Sequence, residues 1–438
     1  MSTAEKQRVV ITGLGPVCPI GITTEQVWHA LANQNSGVRR LEFLPVDEIP
    51  SPFGGEVWDF TGEIEQFGPL ERSQQRSIKK GMRVMCREIQ MGVAAAQLAL
   101  QDSGLDLDTV PSEKIGAVYG CDYIQSLPDD YLDGVKKCLD EEGQFDYDKW
   151  AEQGLPQMNP LWLLKYLPNM PASHIAIYND LRGPNNSITM REPGANLAVA
   201  EAYYTILRGQ ADQMLAGATG SRIHPLTSAH AWNQEQVAGP ELTAETAARP
   251  FDQDRAGMVL GEGAGCLVLE CLQAAEIRGA TIYGEILGFG SSTVIEPNGN
   301  PRTDLAVANV ARQALASAGL EAGDVGHIHA HGLSTTREDA LESAGIEAVF
   351  AGFDVPVVAA KSYFGNLGAG SGIVELITSL LAFQNDCLFP VLNYQTPDDN
   401  CPVNVVTDNS TKPGNTVLNI NFSPQGQASS LLVGRPNS

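Results

Sequence analysis

Three histidines in the C-terminal part of the chain are spaced in a way that could serve metal binding. His327, His329 and His331 occupy every second position, so on a β-strand all three side chains would face the same side. Zinc sites usually combine such imidazoles with cysteine or carboxylate ligands at short, regular spacing, and no such spacing accompanies these histidines. We therefore predict no metal site. His331 remains a candidate by itself, because it precedes Gly332 where the predicted strand ends and a site could open.

Two glycine-rich segments could cradle a phosphate group, but neither has a complete motif. Gly13 and Gly15 follow a predicted strand, and Cys18 stands where the dinucleotide-binding motif requires its third glycine. The segment 365–372 (GNLGAGSG) precedes a predicted helix without the Gly-Lys-Ser/Thr ending of a phosphate loop. Tight turns and close backbone packing explain both segments better. The sequence thus predicts no nucleotide and no other cofactor.

The elements that must position these residues alternate between strands and helices. Short runs of β-branched residues bounded by glycine predict strands at 8–12, 115–119, 213–218 and 418–422. Apolar residues at helical spacing predict helices at 24–32, 84–103, 195–208 and 305–318. Alternation of this kind is typical of α/β proteins with buried strands. The acidic, aromatic-rich stretch near 122–168 interrupts the alternation, and we interpret it as an insertion that caps the core.

Composition and charge limit the possible partners. The 438 residues include 52 Asp+Glu and 28 Lys+Arg, a net charge of −24 with neutral histidines, which repels the phosphates of nucleic acids and anionic lipids. We therefore predict binding to neither nucleic acid nor membrane. The N-terminus lacks the apolar region of a signal peptide, and no apolar run approaches the ~18 residues of a spanning helix, so we expect a cytoplasmic protein. The eight scattered cysteines lack CxxC spacing, which predicts free thiols.

Spaced motifs along nearly the whole chain resemble those of one enzyme family. The segment 249–255 (RPFDQDR) is followed by Gly257 and by 261–265 (GEGAG). Further motifs in the same order are 9–21 (VVITGLGPVCPIG), Asn169-Met170 with His174 and Gly183-Pro184, His331-Gly332 with Asp339 and Glu342, and Lys361 with Gly365. The sequence resembles the type II (elongating) class of β-ketoacyl-ACP synthases. This resemblance implies an α/β thiolase fold of two duplicated halves, at 1–258 and 259–438, which form five αβαβα layers and usually dimerise.

The resemblance also indicates where the active-site positions fall. The nucleophilic cysteine of the family falls on Glu192, its first histidine is retained as His331, and its second falls on Asn366. The family's lysine is retained as Lys361, whereas its gating loop GFGGTN reads SPQGQA at 423–428. A carboxylate is a weaker nucleophile than a thiolate and would form an anhydride with an acyl group. We therefore expect no acyl transfer through Glu192 of the kind that the family's cysteine performs.

Glu192 has two possible roles. It precedes the predicted helix 195–208, where free N–H groups and the helix dipole favour an anion by roughly 0.3 to 1 kcal/mol. We expect an ionised carboxylate that bonds to Lys361, His331 or Arg191 and fills the former nucleophile pocket of an inactive site. Alternatively, His331 and Asn366 still donate hydrogen bonds to a thioester carbonyl, as His and Asn pairs do in related condensing enzymes, which would permit decarboxylation of a malonyl thioester.

A basic segment at 72–87 stands out in this acidic chain. The one acidic neighbour of this segment is Glu71, at its start. The segment contains six basic residues, which are Arg72, Arg76, Lys79, Lys80, Arg83 and Arg87. Such a patch suits an acidic partner such as acyl carrier protein, whose binding would be sensitive to salt. The alternative is a solvated helix face without a partner.

The sequence thus favours a ketosynthase homologue of fatty-acid or polyketide synthesis that has lost its nucleophile. We expect it to work like a chain-length factor, as the partner subunit of an intact ketosynthase. One alternative is a self-contained acyl-thioester enzyme, such as a malonyl-ACP decarboxylase or a divergent acyltransferase, which uses Glu192, His331 and Asn366. Another is a homodimeric acyl-binding protein without chemistry.

Overall fold

The computed structural model describes residues 7–47 and 49–436. Within them the strands are β1 (Val9–Val17), β2 (Arg39–Arg40), β3 (Phe53–Gly55), β4 (Ile115–Cys121), β5 (Asn185–Thr189), β6 (Gln213–Ser221), β7 (Leu260–Cys271), β8 (Gly284–Thr293), β9 (His327–His329), β10 (Pro356–Val358), β11 (Asn404–Val405), β12 (Thr416–Phe422) and β13 (Gln427–Gly434). The helices are α1 (Thr24–Ala32), α2 (Arg72–Gly81), α3 (Arg87–Ser103), α4 (Asp129–Lys137), α5 (Met170–Asn179), α6 (Gly194–Leu207), α7 (Pro225–Gln234), α8 (Ala244–Ala247), α9 (Leu272–Arg278), α10 (Thr303–Ala318), α11 (Thr336–Phe350), α12 (Lys361–Phe364) and α13 (Ser371–Asn385).

The strand order shows that the chain is built from two equivalent halves. In the first half the order across the sheet is β5-β4-β6-β7-β1, and in the second half it is β10-β9-β12-β13-β8. The pairings also match, because β4 is parallel to β5 and β6 while β9 is parallel to β10 and β12, and the remaining pairs are antiparallel. The two sheets join where β1 meets β8 at Val10 and Ile11. The duplicated α/β fold that the resemblance implied is confirmed.

Alternating side chains on the strands create the layers. On β4, Ile115, Ala117 and Tyr119 pack against α3 and α5, whereas Val118 points to the opposite face and packs with α6 and α13. Strands of the second half divide in the same way between the α6/α13 core and an outer core that contains α10 and α11. Because residues along a strand alternate between its two faces, each sheet is covered on both sides, which gives five αβαβα layers.

The predicted elements agree closely with the structure. The helix predicted at 24–32 is α1, and the other predicted helices correspond to α3, α6 and α10 with ends shifted by up to three residues. The strand β7 pairs with β6 and β1 of the first half, so by pairing the first half extends beyond the boundary predicted at 258. No helix among the described residues is long and apolar enough to span a bilayer.

The stretch near 122–168 contains α4 and several short helical turns. Asp130 in α4 accepts hydrogen bonds from Lys165 and from the Tyr166 hydroxyl, which ties the two ends of the stretch together. Several of its large apolar side chains remain exposed: Leu132, Leu139, Tyr147, Leu155, Leu161 and Leu163. The insertion is therefore an ordered cap with an apolar outer surface.

Candidate active site

The candidate site lies between the two halves, at the carboxyl ends of equivalent strands such as β5 and β10. Glu192 lies between β5 and α6, and Lys361 follows β10, the equivalent strand of the second half. His331 follows β9, and Asn366 lies in the loop before α13. Strands β9, β10 and β12 run parallel, so their carboxyl ends open at one edge, the place where sites form in such sheets. All four side chains are at most 3% exposed.

Glu192 forms a buried ion pair with an arginine from the end of β6. Its Oε1 atom accepts a hydrogen bond from Arg222 Nη2 at 2.5 Å, and both side chains are only 1% exposed. Arg222 Nη2 also lies 3.7 Å from Asp122 Oδ1, and Arg191 Nε lies 3.4 Å from Glu192 Oε2. Burial opposes ionisation of Glu192, but the positive charges of Arg222 and Arg191 outweigh it and lower its pKa below the ordinary value. Glu192 is therefore a carboxylate neutralised from two sides.

The partners of Glu192 agree only in part with the expected ones. Of the predicted partners Lys361, His331 and Arg191, Arg191 forms an ion pair with Glu192, whereas the hydrogen bonds come from Arg222 and from Asn366 Nδ2 at 3.2 Å. Lys361 is not available because its Nζ atom already binds Glu375 and His331. Arg222 was missed in the sequence, because nothing in its distance along the chain from Glu192 indicates that the two side chains meet.

His331 belongs to a separate polar network. Its Nδ1 atom faces two nitrogen donors, Lys361 Nζ at 3.0 Å and Asn421 Nδ2 at 3.2 Å. Glu375 accepts hydrogen bonds from the same two side chains. Burial and the charge of Lys361 hold the pKa of His331 well below its ordinary value, so the ring is neutral. Since Nδ1 accepts, the ring proton is on Nε2, which makes His331 a hydrogen-bond donor through that atom.

Asn366 is fully occupied by its neighbours. Its Nδ2 atom donates to Glu192 Oε1 at 3.2 Å and to Met258 Sδ at 3.0 Å. Its Oδ1 atom accepts from Gly368 N and Ser371 Oγ, both at 3.1 Å. An amide nitrogen has two hydrogens to donate, so none is left for a substrate carbonyl in this arrangement.

Arg191 closes the side of the candidate site that faces the loop 423–428, where the resemblance places the family's gating loop. Its guanidinium donates to Glu235 Oε2 at 2.9 Å, to Gln234 Oε1 at 3.2 Å and to Gln425 Oε1 at 3.3 Å. Its backbone has φ +56°, a left-handed conformation that is uncommon outside glycine. Arg191 thus connects the β5–α6 corner to the end of α7 and to the turn between β12 and β13.

Comparisons with known proteins match this architecture. The family model described as the N-terminal domain of β-ketoacyl synthase matches residues 6–275, and that of the C-terminal domain matches residues 283–395. The chain belongs to the β-ketoacyl synthase family. The 3-oxoacyl-[acyl-carrier-protein] synthase 2 of Synechocystis sp. is 32% identical over 419 residues, which cover 94% of this chain and 93% of that protein. The synthase 2 of Coxiella burnetii is 30% identical over 435 residues, 98% of this chain and 99% of that protein.

Solved structures extend the likeness to ketosynthases of two kinds. A β-ketoacyl synthase from Burkholderia phymatum superposes with a TM-score of 0.83 at 26% identity, covering 98% of this chain and 100% of that one. The ishigamide ketosynthase/chain length factor gives 0.82 at 26% identity over 99% and 100% of the two chains. A type II polyketide ketosynthase in complex with its acyl carrier protein gives 0.79 at 25% identity over the same shares.

The other predicted positions lie outside the site of this β-ketoacyl synthase homologue. The predicted docking residues Arg72, Arg76, Lys79 and Lys80 are exposed on α2, and Arg83 is exposed in the turn that follows. Arg87 differs, because it pairs with Glu262 and binds backbone carbonyls. His327 and His329 are buried and bonded to Pro413 O and Ser379 Oγ. No cluster of three or more His, Cys, Asp or Glu suited to a metal occurs in the part of the chain that the structure describes.

Proposed function

We propose that this β-ketoacyl synthase homologue does not condense acyl chains and instead serves, like a chain-length factor, as the partner subunit of an intact ketosynthase. The observation that carries this proposal is the Glu192–Arg222 ion pair at the position that the family resemblance assigns to the nucleophile. A carboxylate whose charge is neutralised by arginine is a poor nucleophile. In this arrangement the partner supplies the thiol chemistry, and this subunit helps to shape the space for the growing chain.

The comparisons support the kinds of partner that this proposal requires. The similar structures include one described as a ketosynthase/chain length factor and one in which a ketosynthase is bound to its acyl carrier protein. We extend both relations to this chain: a ketosynthase partner, and an acyl carrier protein that brings the acyl or malonyl thioester. Fatty-acid and polyketide synthesis are the two pathways to which the relatives belong.

A self-contained enzyme fits the geometry less well. Decarboxylation of a malonyl thioester needs donors for the developing oxyanion, and of the predicted donor pair His331 and Asn366 only His331 retains an unused N–H. Asn366 already donates both amide hydrogens, one of them to Glu192. Glu192 and Asn366, which would have to act on a substrate, are thus hydrogen-bonded to each other instead.

The test uses the purified protein with acyl-ACP and malonyl-ACP. Intact mass measurement should show no acyl adduct, because burial raises the pKa of the Cys18 and Cys266 thiols to about 12 and no thiol occupies position 192. Release of CO2 from malonyl-ACP should equal the rate without protein. An adduct on any residue, or decarboxylation by this chain alone, would contradict the proposal.

A second experiment tests the partner role. Co-expression with an intact ketosynthase of the same organism should give a complex with equal amounts of both subunits that elongates acyl-ACP. Glu192→Gln should leave this elongation unchanged, whereas replacing the partner's nucleophilic cysteine with alanine should abolish it. If elongation were lost with Glu192→Gln in a stable complex, Glu192 would have to act in the chemistry.

A further inference from the structure

A cavity of about 470 Å³ lies at the end of the first-half sheet that is opposite to the candidate active site. It is lined by residues at the start of β6, at the end of β7, in α9 and in the loop that follows α3. The strand β6 runs from Gln213 in this cavity to Ser221 beside Arg222, and nine residues of strand span about 26 Å. The cavity is therefore separate from the site on which the proposed function depends.

Cys271 contributes a thiol to the wall of this cavity. It is the last residue of β7, directly before α9, and it is free and partly exposed. Five other cysteines are buried, namely Cys18, Cys121, Cys138, Cys266 and Cys401. A thiol that solvent reaches can exchange with a disulfide, whereas a buried thiol is protected. Cys271 is thus a place where a small sulfur compound could be attached.

Gln213 is a buried polar group in the same wall and lacks a hydrogen-bond donor. It is only 5% exposed, and its Oε1 atom has no hydrogen-bond partner among the described residues. Its partner across the sheet is Glu270, the residue before Cys271, so Gln213 and the thiol lie on neighbouring strands. A buried acceptor without a donor is costly for the folded protein. A ligand with an N–H or O–H group would remove that cost.

Asp212 gives the cavity a negative charge beside the thiol. Continuing the β6–β7 register by one residue beyond Gln213 and Glu270 places Asp212 opposite Cys271. Asp212 is exposed, and it is the one charged residue in the described wall of the cavity. A positively charged compound that approaches Cys271 is therefore attracted, and a negatively charged one is repelled.

Positive side chains of the adjoining segments do not cancel this charge. Lys114 Nζ donates to the carbonyl oxygen of Gly209 at 2.8 Å, and Arg278 is paired with Glu270. The remaining surface of the cavity includes apolar side chains, which suit a short hydrocarbon chain: Val110, Pro111, Ala274 and Ile277. The wall thus combines a thiol, a buried acceptor, a negative charge and an apolar surface.

We propose that Cys271 is a thiol–disulfide exchange site that selects small disulfides with an amine group, the oxidised form of a short aminothiol. The ammonium group is attracted by Asp212 and supplies the donor that Gln213 lacks. The Cys271 thiolate attacks one sulfur atom of the disulfide, so that a new S–S bond to Cys271 forms while the original S–S bond breaks. The released thiolate takes up the proton that Cys271 lost, and one thiol and one disulfide are present before and after the exchange.

The test compares a cationic and an anionic disulfide on the purified full chain at low ionic strength. Cystamine and 3,3′-dithiodipropionate are added at equal concentration, and mass spectrometry of the peptides measures the rate of adduct formation at each cysteine. Cys271 should react with cystamine about tenfold faster, because attraction of one probe and repulsion of the other contribute about threefold each at about 6 Å in water. Equal rates at Cys271, or no adduct there, would overturn the proposal.

Cys387 is the internal control because it is also partly exposed and has different charges around it. Asp386, its neighbour in the chain, is paired with both Lys412 and Arg435. Cys387 should therefore show no preference for cystamine. The same preference at both cysteines would mean that the net charge of the protein, and not this cavity, attracts the probe.

Two variants assign the selectivity to named side chains. Asp212→Asn should lower the preference of Cys271 for cystamine to below about threefold, and an unchanged preference would contradict the proposal. Gln213→Leu should slow the cystamine reaction about fivefold, the effect of one lost hydrogen bond. It should not slow the reaction with methyl methanethiosulfonate, a neutral thiol reagent without a donor group. Equal slowing with both reagents would assign Gln213 to the fold and not to amine binding. Because Asp212 is exposed, its variant tests the charge even if the Gln213 variant does not fold.

Discussion

Glu192 and Arg222 form the buried ion pair at the centre of the candidate site, and each charge depends on the other for its stability. Both are nearly inaccessible to solvent, so neither charge can be rehydrated if its partner is removed. Replacing a whole buried pair with apolar residues is often neutral, but removing one partner typically costs about 3 to 5 kcal/mol. The two residues should therefore respond very differently to single and double substitution.

Arg222→Leu should lower the free energy of unfolding by about 3 kcal/mol or more, because Glu192 and Asp122 lose their main positive neighbour. Glu192→Gln combined with Arg222→Leu should recover a large part of this loss. Urea unfolding of the wild type, both single variants and the double variant measures the coupling. Additive effects in this cycle would show that the two side chains do not stabilise each other.

Glu192→Cys should not restore condensation. The new thiol would lie beside Arg222, which favours the thiolate, but Asn366 remains in place of a histidine and Arg191 still binds Gln425 of the altered loop. Catalytic groups that act together are not recovered singly. Mass spectrometry of the acyl products should show elongation below about 1% of that of an intact synthase. Elongation near the intact rate would mean that Asn366 and the loop 423–428 are irrelevant.

The sequence predicted which residues meet in the candidate site but not most of their partners. Glu192, His331, Lys361 and Asn366 could be placed because each lies at a fixed distance from a recognisable motif. Arg222, Glu375 and Asn421 were missed because their contacts come from chain segments that only folding brings together. Spacing along the chain contains no information about such pairs.

Among the elements, the first turn of α3 places a carboxyl group where its charge is unfavourable. Burial and the charges of Glu262 and Asp122 raise the pKa of Glu88 from 4.5 to about 7. Its neighbours in the chain are Cys86 and Arg87. The folded state therefore binds one more proton than the unfolded state between these two values. This part of the stability is present below pH 4.5 and is lost as pH rises through 7.

Glu88→Gln should remove this pH dependence. The wild type should lose up to about 3 kcal/mol between pH 4.5 and 7 from this group, and the variant should not. Asp339 and Glu342 also have pKa values raised by burial, to about 6 and about 8, so the difference between the two unfolding curves isolates Glu88. An identical pH dependence of both proteins would show that the pKa of Glu88 in the folded state is close to its ordinary value.

Element types were predictable because the two periodicities of the sequence are clear. The helix α1 was found to the residue because its buried side chains Val27, Ala30 and Leu31 follow helical spacing, and the strand β12 was found to within two residues because all of its side chains are buried. The helix predicted at 84–103 instead begins at Arg87, because Met82–Val84 forms a separate 3-10 turn. Such a turn continues the helical spacing and cannot be distinguished by it.

For the molecule as a whole, the outermost strand of the first half has a free edge. β5 is the last strand of the sheet on its side, and Asn185, Asn186 and Thr189 are exposed. Exposed strand edges promote pairing with other chains. The apolar side chains on the cap, such as Leu161 and Leu163, add a second surface that is poorly suited to water. Both features favour assembly with another subunit.

The protein expressed alone should therefore be poorly soluble or monomeric, and co-expression with its ketosynthase partner should rescue it. Because obligate interfaces are large and apolar, commonly above ~2,000 Å², the complex should persist at high salt. Light scattering of the single chain and of the pair at low and high salt measures this. A soluble, salt-stable homodimer of the single chain would instead favour a self-contained protein.

Docking of the carrier protein should show the opposite response to salt. Arg72, Arg76 and Lys79 on α2 are exposed and outside the ion pairs of the described residues. Changing the three to glutamate should weaken binding of acyl carrier protein at least tenfold at low salt and by less at high salt, since exposed charges are screened. Charge reversal at Lys136 and Lys137 on α4 is the control. Equal weakening by both sets would mean that net charge, and not the α2 surface, attracts the carrier protein.

The Glu192–Arg222 pair also has a consequence for the history of the family. A lineage that carries it can regain a cysteine at position 192 only by giving up the carboxylate that is hydrogen-bonded to the buried Arg222, and disrupting such a pair typically destabilises the fold. If Arg222 changes first, Glu192 is the charge that remains buried without its partner. Both single-step intermediates would be selected against for instability before any activity returned. Under the proposed function, loss of the nucleophile in this branch is effectively one-way, and we expect descendants that contain both residues to retain them together.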